Sequence, residues 1–324
     1  MKILVTGGLG LIGHNVVKQL CDIEHEVLVM DNMTDYGMIP NDELKYLISE
    51  RKNKLAGCSY YLYDYDISDK NKVYNVFDVE QPELVIHLAS FPRQKVVNKY
   101  PAWGSRVMSE GLLNLLEASK NVDVRKFVYV SSSMVYGDFT DHVTEDVICN
   151  PQGQYGIMKL AGEWLVKDYS HRDNLAYTIL RPSAVYGPLD VEDRVISKFF
   201  ISCMRNQPIY VNGYDETLDF TYVEDAATGI VDASLSYNTD NNIYNITKSH
   251  CVTLLQAAEL VVKIVGKGNI IVREKDIDFP SRGALDITKA REHFNFNPTV
   301  DVEEGFQKYY DWLNTSYYWK DKIE

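Results

Sequence analysis

Cysteine is scarce in this 324-residue chain, and its five copies, Cys21, Cys58, Cys149, Cys203 and Cys251, are odd in number and form no C-x-x-C pair. A disulfide framework is thereby excluded, a zinc site has no support, no metal is expected, and a reducing cytoplasm is the compartment that fits. Positive charge is also in deficit: 33 Lys and Arg stand against 46 Asp and Glu, a net charge of -13. With no basic patch anywhere, neither nucleic acid nor an anionic membrane is an expected partner. No stretch approaches the roughly 20 apolar residues of a membrane span. The apolar start is too short and too broken by glycine to be expected as a signal peptide. Repeats, low-complexity tracts and flexible linkers are absent as well. What remains is an acidic chain able to bury a sizeable core, and at about 150 residues per domain it divides into two.

Strand-like runs recur at Lys2 to Val5, Glu26 to Met30, Ser59 to Tyr63, Leu84 to Leu88, Lys126 to Ser131 and Ala176 to Leu180. Between them lie helix-like segments at Ile12 to Leu20, Lys70 to Phe77, Val107 to Ser119 and Gln154 to Tyr169, with an extra charged helix, Asp42 to Lys54, placed to overhang a ligand mouth. This alternation predicts an α/β fold with a parallel sheet flanked by helices. After Arg181-Pro182 the pattern loosens into short elements, read as a smaller domain on the carboxyl edge of the sheet, where open α/β sheets bind ligands. The aromatic-rich tail Tyr309 to Trp319 reads as one terminal helix packing an apolar face.

The first strand runs into Thr6-Gly7-Gly8-Leu9-Gly10-Leu11-Ile12-Gly13. Gly8, Gly10 and Gly13 fit G-x-G-x-x-G, in which small residues admit a pyrophosphate and the N–H groups at a helix start face its charge. The second strand ends at Asp31, 18 residues past Gly13, about where an acid meets an adenosine ribose. The expected architecture is therefore a Rossmann-type doubly wound sheet carrying a dinucleotide. Residues 1–181 form the expected cofactor domain, to which the chain returns near 217–248, and 182–324 mostly form the substrate domain.

Tyr155 and Lys159 stand four apart, on one face of a helix. A lysine beside the phenol is expected to pull its pKa down from about 10 toward the range of a useful acid/base. Some 20 residues earlier, Ser131-Ser132-Ser133-Met134-Val135-Tyr136-Gly137 presents hydroxyls at the carboxyl edge of the sheet.

Together these segments resemble the extended short-chain dehydrogenase/reductases, in their nucleotide-sugar epimerase/dehydratase branch. The resemblance covers nearly the whole chain. It includes the glycine-rich start, Asp66-Ile67, His87-Leu88-Ala89-Ser90, Ser-x-x-Val-Tyr-Gly, Tyr155 with Lys159, Leu180-Arg181-Pro182, Val185-Tyr186-Gly187-Pro188 and Asp219-Phe220-Thr221-Tyr222-Val223-Glu224-Asp225.

The resemblance implies that Tyr155 is the acid/base, that Lys159 binds the nicotinamide ribose and that Ser132 bonds the reacting sugar hydroxyl, with Ser133 beside it. It implies a cofactor site of Gly7, Gly10, Leu11, Ile12, Gly13, Asp31, Asn32, Asp66, Ile67, Leu88, Ala89, Ser90, Tyr155 and Lys159. An acid at Asp31 with no arginine just after it favours NAD over NADP. The implied substrate is a nucleotide-diphosphate sugar, oxidised at C4 to a 4-keto intermediate.

Two departures narrow this. Related dehydratases and decarboxylases carry an acid close after the catalytic Ser/Thr, whereas this chain has Ser133-Met134, and a thioether moves no protons. The expected reaction is thus 4-epimerisation. The alternatives are a 4,6-dehydratase, decarboxylase, 4-dehydrogenase or 4-keto reductase and, more remotely, a non-catalytic dinucleotide sensor. The common diphosphate arginine is replaced by Leu218, leaving Arg194 and Arg282 as candidate anion contacts. The resemblance also implies a homodimer through the helices about Val107 to Ser119 and Gln154 to Tyr169, whose Leu112, Leu113, Leu115, Leu116, Trp164 and Leu165 exceed what one inward stripe needs.

Overall fold

The structure is a computed structural model that describes residues 1–91, 94–277 and 279–323. Its centre is a seven-stranded parallel sheet. In chain order β1 (Lys2–Thr6), β2 (Glu26–Met30), β3 (Tyr60–Tyr63), β4 (Leu84–His87), β5 (Lys126–Val130) and β6 (Ala176–Pro182) are joined late by the strand Asn242–Ile246. The spatial order is that last strand, then β6, β5, β4, β1, β2 and β3. The order reverses between β1 and β4, where Ile3 pairs with Leu84 and Thr6 with His87. A crevice opens there at the carboxyl ends, because successive crossovers leave on opposite sides.

The strands are nearly continuous apolar runs because both faces are covered. Ile3, Val5, Val27, Val29, Leu84 and Ile86 face one layer, which holds Val16, Val17 and Leu20 of α1 (Gly13–Asp22) and Ala227 and Ile230 of the helix Val223–Leu235. The alternate residues Leu4, Leu28, Val85, Phe127 and Ile179 face the other, with Val73, Val76 and Phe77 of α3 (Lys70–Glu80) and Leu112, Leu115 and Leu116 of the helix Gly111–Asn121. Period-two alternation thus sorts one strand's side chains into two cores.

A third core lies above the sheet's carboxyl edge, built from aromatic residues that include Tyr186, Phe200, Phe220, Phe306, Tyr309 and Trp319. Ile39, Tyr46 and Leu47 join it although they precede β3 in the chain, so α2 (Asn41–Lys54) packs into the upper core. Burying side chains of this size contributes roughly 1.5–3 kcal/mol each.

Two expected helices differ in detail. The tail is two helices, Val302–Thr315 and Tyr317–Ile323, separated at Ser316. The hydroxyl of Ser316 bonds the Tyr46 hydroxyl at 2.7 Å and accepts the Trp319 N–H at 3.3 Å, so the break is anchored to α2. The segment expected from Val107 begins as a π-helical turn, Arg106–Glu110, before Gly111–Asn121. Its glycine sits against Ile67, where an added Cβ would fall 2.7 Å from that side chain. Among the described residues no helix is long and apolar enough to cross a membrane.

Candidate active site

A cavity of about 800 Å³ runs from the glycine turn after β1, across the ends of β4 and β5, to the loops of the upper core. At its lower end the turn is closed too tightly for side chains. Gly7 has φ +71°, and a Cβ on Gly13 would lie 2.1 Å from the Gly7 carbonyl oxygen, a contact only glycine at position 13 avoids. The backbone N–H groups of Leu11, Ile12 and Gly13 find no backbone acceptor among the described residues, so three donors at the start of α1 face the cavity.

Asp31 closes the next wall. Its Oδ2 accepts the Leu9 N–H and its Oδ1 the Met33 N–H, both at 2.8 Å, while burial pushes its pKa up against those two bonds. Asn32 donates to Asp66 Oδ2 at 2.9 Å, and the Ile67 carbonyl accepts from Asn114 at 3.0 Å, fixing the segment after β3. Leu88, Ala89 and Ser90 line the opposite side. The Ser90 hydroxyl is buried with no partner among the described residues. A cradle that a Cβ would fill, free donors at a helix start and an orphaned hydroxyl together fit a bound dinucleotide.

At the carboxyl end of β5 the three serines part company. Ser131 donates to Glu163 at 2.6 Å, and Glu163 is gripped by Arg181 through Nε at 2.9 Å and Nη2 at 2.6 Å, all below the surface. Ser133 donates to Ser183 at 3.1 Å, both side chains buried. Ser132 caps a short turn, accepting the Met134 N–H at 3.2 Å, and stands beside the Tyr155 phenol, whose pKa it holds down. With Ser131 and Ser133 engaged elsewhere, Ser132 is the hydroxyl beside Tyr155 on the cavity wall.

Tyr155 and Lys159 lie in the first turns of the helix Gly153–Asp173, as their spacing predicts. The electrostatic expectation for them needs correction. Burial pushes the Tyr155 phenol up, opposed by the Arg194 charge and the Ser132 hydrogen bond rather than by Lys159. The Lys159 ammonium is committed elsewhere: Nζ donates to the Val130 carbonyl at 2.8 Å, 5.9 Å from the Tyr155 ring centre. Burial brings Lys159 down to about 8, with Glu163 pulling the other way.

The upper end of the cavity gathers cations. Arg194 immediately precedes the helix Val195–Met204 and lies 3.8 Å from Asp190. Arg282 lowers over Met134, with Nη1 3.7 Å from the thioether sulfur, and its Nε has no partner among the described residues. Burial brings Arg282 down to about 10, with Glu216 pulling the other way and the Arg194 charge adding slightly to the fall, and both guanidiniums line the cavity. Leu218 lines the same region.

Three contributors to this site escaped sequence reasoning: Ser183, Glu163 and Arg51. Ser183 follows directly on Arg181-Pro182, and Glu163 stands four residues after Lys159, a helical spacing that flags it. Arg51 sits among three other basic residues of a charged segment, Lys45, Lys52 and Lys54, and carries no distinguishing local signal.

Residues 3–247 match the family described as the NAD dependent epimerase/dehydratase family. A putative UDP-glucose 4-epimerase of Methanocaldococcus jannaschii is 30% identical over 97% of this chain and 99% of its own. The UDP-glucuronic acid 4-epimerase of Bacillus cereus, solved with UDP-glucuronic acid and NAD, superposes with a TM-score of 0.88 at 28% identity over 96% of this chain and 98% of that one. The UDP-glucose 4-epimerase of Thermotoga maritima, solved with UDP-glucose, superposes with a TM-score of 0.87 at 27% identity, covering 100% of both chains. With a glycine cradle, a Ser-Tyr-Lys wall and this family match over most of its length, the chain belongs to the NAD dependent epimerase/dehydratase family.

Proposed function

We propose that this protein is an NAD-dependent nucleotide-sugar 4-epimerase working through a 4-keto intermediate. The observation that carries the reading is the wall of the cavity, where the Tyr155 phenol stands beside the Ser132 hydroxyl, with a buried Lys159 behind it and a thioether, Met134, where an additional acid would be needed. The relatives named above, which are 4-epimerases by name, support the same reading.

Leu11, Ile12 and Gly13 offer N–H groups to the pyrophosphate, Gly7 and Gly10 make room for it, and Asp31 accepts from the adenosine ribose. Asn32, Asp66 and Ile67 border the adenine, while Leu88, Ala89 and Ser90 border the nicotinamide side. Bound NAD supplies the acceptor and later the donor of the C4 hydride. Tyr155 removes the C4 hydroxyl proton through its contact with Ser132 and returns it after the keto sugar turns over. Lys159 bonds the nicotinamide ribose and keeps a positive charge behind the phenol. Ser133 supports the sugar end through Ser183. Arg194 and Arg282 take the diphosphate, standing in for the arginine replaced by Leu218.

The protein works as a cytoplasmic homodimer in this reading, through the face that leaves Leu113, Ile157 and Trp164 exposed at 37%, 52% and 64%. Light scattering at micromolar concentration returns a dimer mass for the wild type and a monomer for Trp164→Glu; a monomeric wild type refutes that part.

The test of function is incubation with UDP-, GDP-, CDP- and dTDP-sugars in deuterated water, with products followed by NMR and retained cofactor by absorbance. The expected result is interconversion of two C4 epimers with no deuterium at C3, C5 or C6 and no added NAD consumed. A 4-keto-6-deoxy product, release of carbon dioxide or deuterium at C5 overturns it in favour of the dehydratase, decarboxylase or multi-centre alternatives.

A further inference from the structure

Arg51 on α2 is a buried cation, 7% exposed, that the reaction above does not use. Its two terminal nitrogens reach two separate loops: Nη1 donates to the Leu9 carbonyl at 2.9 Å and Nη2 to the Leu189 carbonyl at 2.8 Å. Leu9 lies inside the glycine turn, and its N–H is held by Asp31, so the residue is gripped on both sides. Leu189 belongs to the loop after the strand Val185–Tyr186, is buried, and has φ +69°, a left-handed conformation that costs a leucine energy and needs outside support. Five residues further on, that loop delivers Arg194.

The same helix touches the loop twice. Glu43 accepts the Glu192 N–H at 2.7 Å. Burying a guanidinium is expensive, and an apolar residue would serve packing alone at less cost. Here the carboxylates of Asp190, Asp31 and Glu43 surround the charge, and its geometry spans two loops that belong to different cores. A planar fork suits two carbonyls in two directions, which an ammonium on a single point does not.

We propose that Arg51 is a positioning residue that ties the cofactor cradle to the loop presenting Arg194, so that NAD and the nucleotide-sugar diphosphate bind cooperatively. This rests on the reading that both are ligands of the cavity. An ordered cradle fixes the Leu9 carbonyl, which orients the guanidinium, which in turn holds Leu189 and the start of the helix Val195–Met204. By linkage the diphosphate strengthens the cradle by the same factor.

The experiment is calorimetric titration of NAD into cofactor-free protein, with and without saturating UDP, for the wild type, Arg51→Met and Arg51→Lys. The wild type is expected to bind NAD about fivefold or more tightly when UDP is present, the lower end of ordinary coupling. In Arg51→Met the ratio falls to about one, and Arg51→Lys, which keeps the charge but not the fork, falls most of the way. A purely structural role weakens both ligands and leaves the ratio where it was, and that result overturns the proposal. Where Arg51→Met does not fold, Arg51→Lys decides by the same ratio. A wild type that binds both ligands without coupling overturns this inference alone, whereas one that binds neither overturns the functional reading as well.

Discussion

Lys159 should make the empty protein less stable than it need be, and the size of the penalty follows from its surroundings. The side chain is 4% exposed, and burial brings its pKa from the ordinary 10.5 to about 8. That difference corresponds to about 3 kcal/mol, from 1.36 kcal/mol per tenfold change in proton affinity. Below pH 8 the lysine is charged in both folded and unfolded chains, so the full penalty is present. Between pH 8 and 10.5 the unfolded chain binds the proton and the folded chain has released it, so stability rises with pH, and the penalty is gone above 10.5. Lys159→Met removes the titrating group. It also removes the bond to the Val130 carbonyl, which lowers stability by about 1–3 kcal/mol at every pH and so does not affect the slope. Urea denaturation of cofactor-free wild type and Lys159→Met from pH 7 to 10.5 isolates the effect, because other lysines and tyrosines titrate in both proteins. The wild type should gain about 3 kcal/mol on the variant across that range. A difference that stays flat, or that moves toward the variant as pH rises, refutes the assignment of Lys159 as a buried cation.

Tyr155→Phe should leave NAD and UDP binding in place while lowering kcat by about 10²-fold or more in an NMR epimerisation assay, because a positioned acid/base is removed. Gly13→Ala drives a Cβ to 2.1 Å from the Gly7 carbonyl, and since only backbone lies there the turn must shift; NAD binding measured by calorimetry should be lost, with the fold retained by circular dichroism. Arg282→Met deletes charge-assisted hydrogen bonds to the diphosphate and should raise KM about 10- to 100-fold with little change in kcat, while thermal melting shows no loss of stability because a half-buried charge with an unpartnered Nε has gone. Asp31→Ala should weaken NAD and end the discrimination against NADP in paired titrations, and tighter native binding of NADP than NAD contradicts the role given to that acid.

The parts of the fold and site that were legible in the sequence are those written in local spacing. Strands covered on both faces read as apolar runs, the glycine turn reads as three small residues at fixed offsets, and Tyr155 and Lys159 announce a shared helix face. The three serines were legible as a group, but which hydroxyl stays available depends on Glu163 and Ser183, one from a helix and one from the end of the next strand. The effect of Lys159 on Tyr155 is hidden from the sequence for a related reason. Spacing brings two side chains to one face, but whether their charges act on each other depends on competing acceptors, and the Val130 carbonyl captures the ammonium first. Arg51 is the extreme case. Its partners lie 42 and 138 residues away, in separate cores, and α2 shows no strong apolar stripe to mark it as a core element. Residues that join two lobes answer to geometry made only when both have folded, so their local pattern resembles an ordinary solvated helix. It follows that the chemistry at C4 can be inferred from short motifs, whereas control of when both ligands are held together has to be sought in buried charges with unrelated partners, of which Arg51 is the one best placed here.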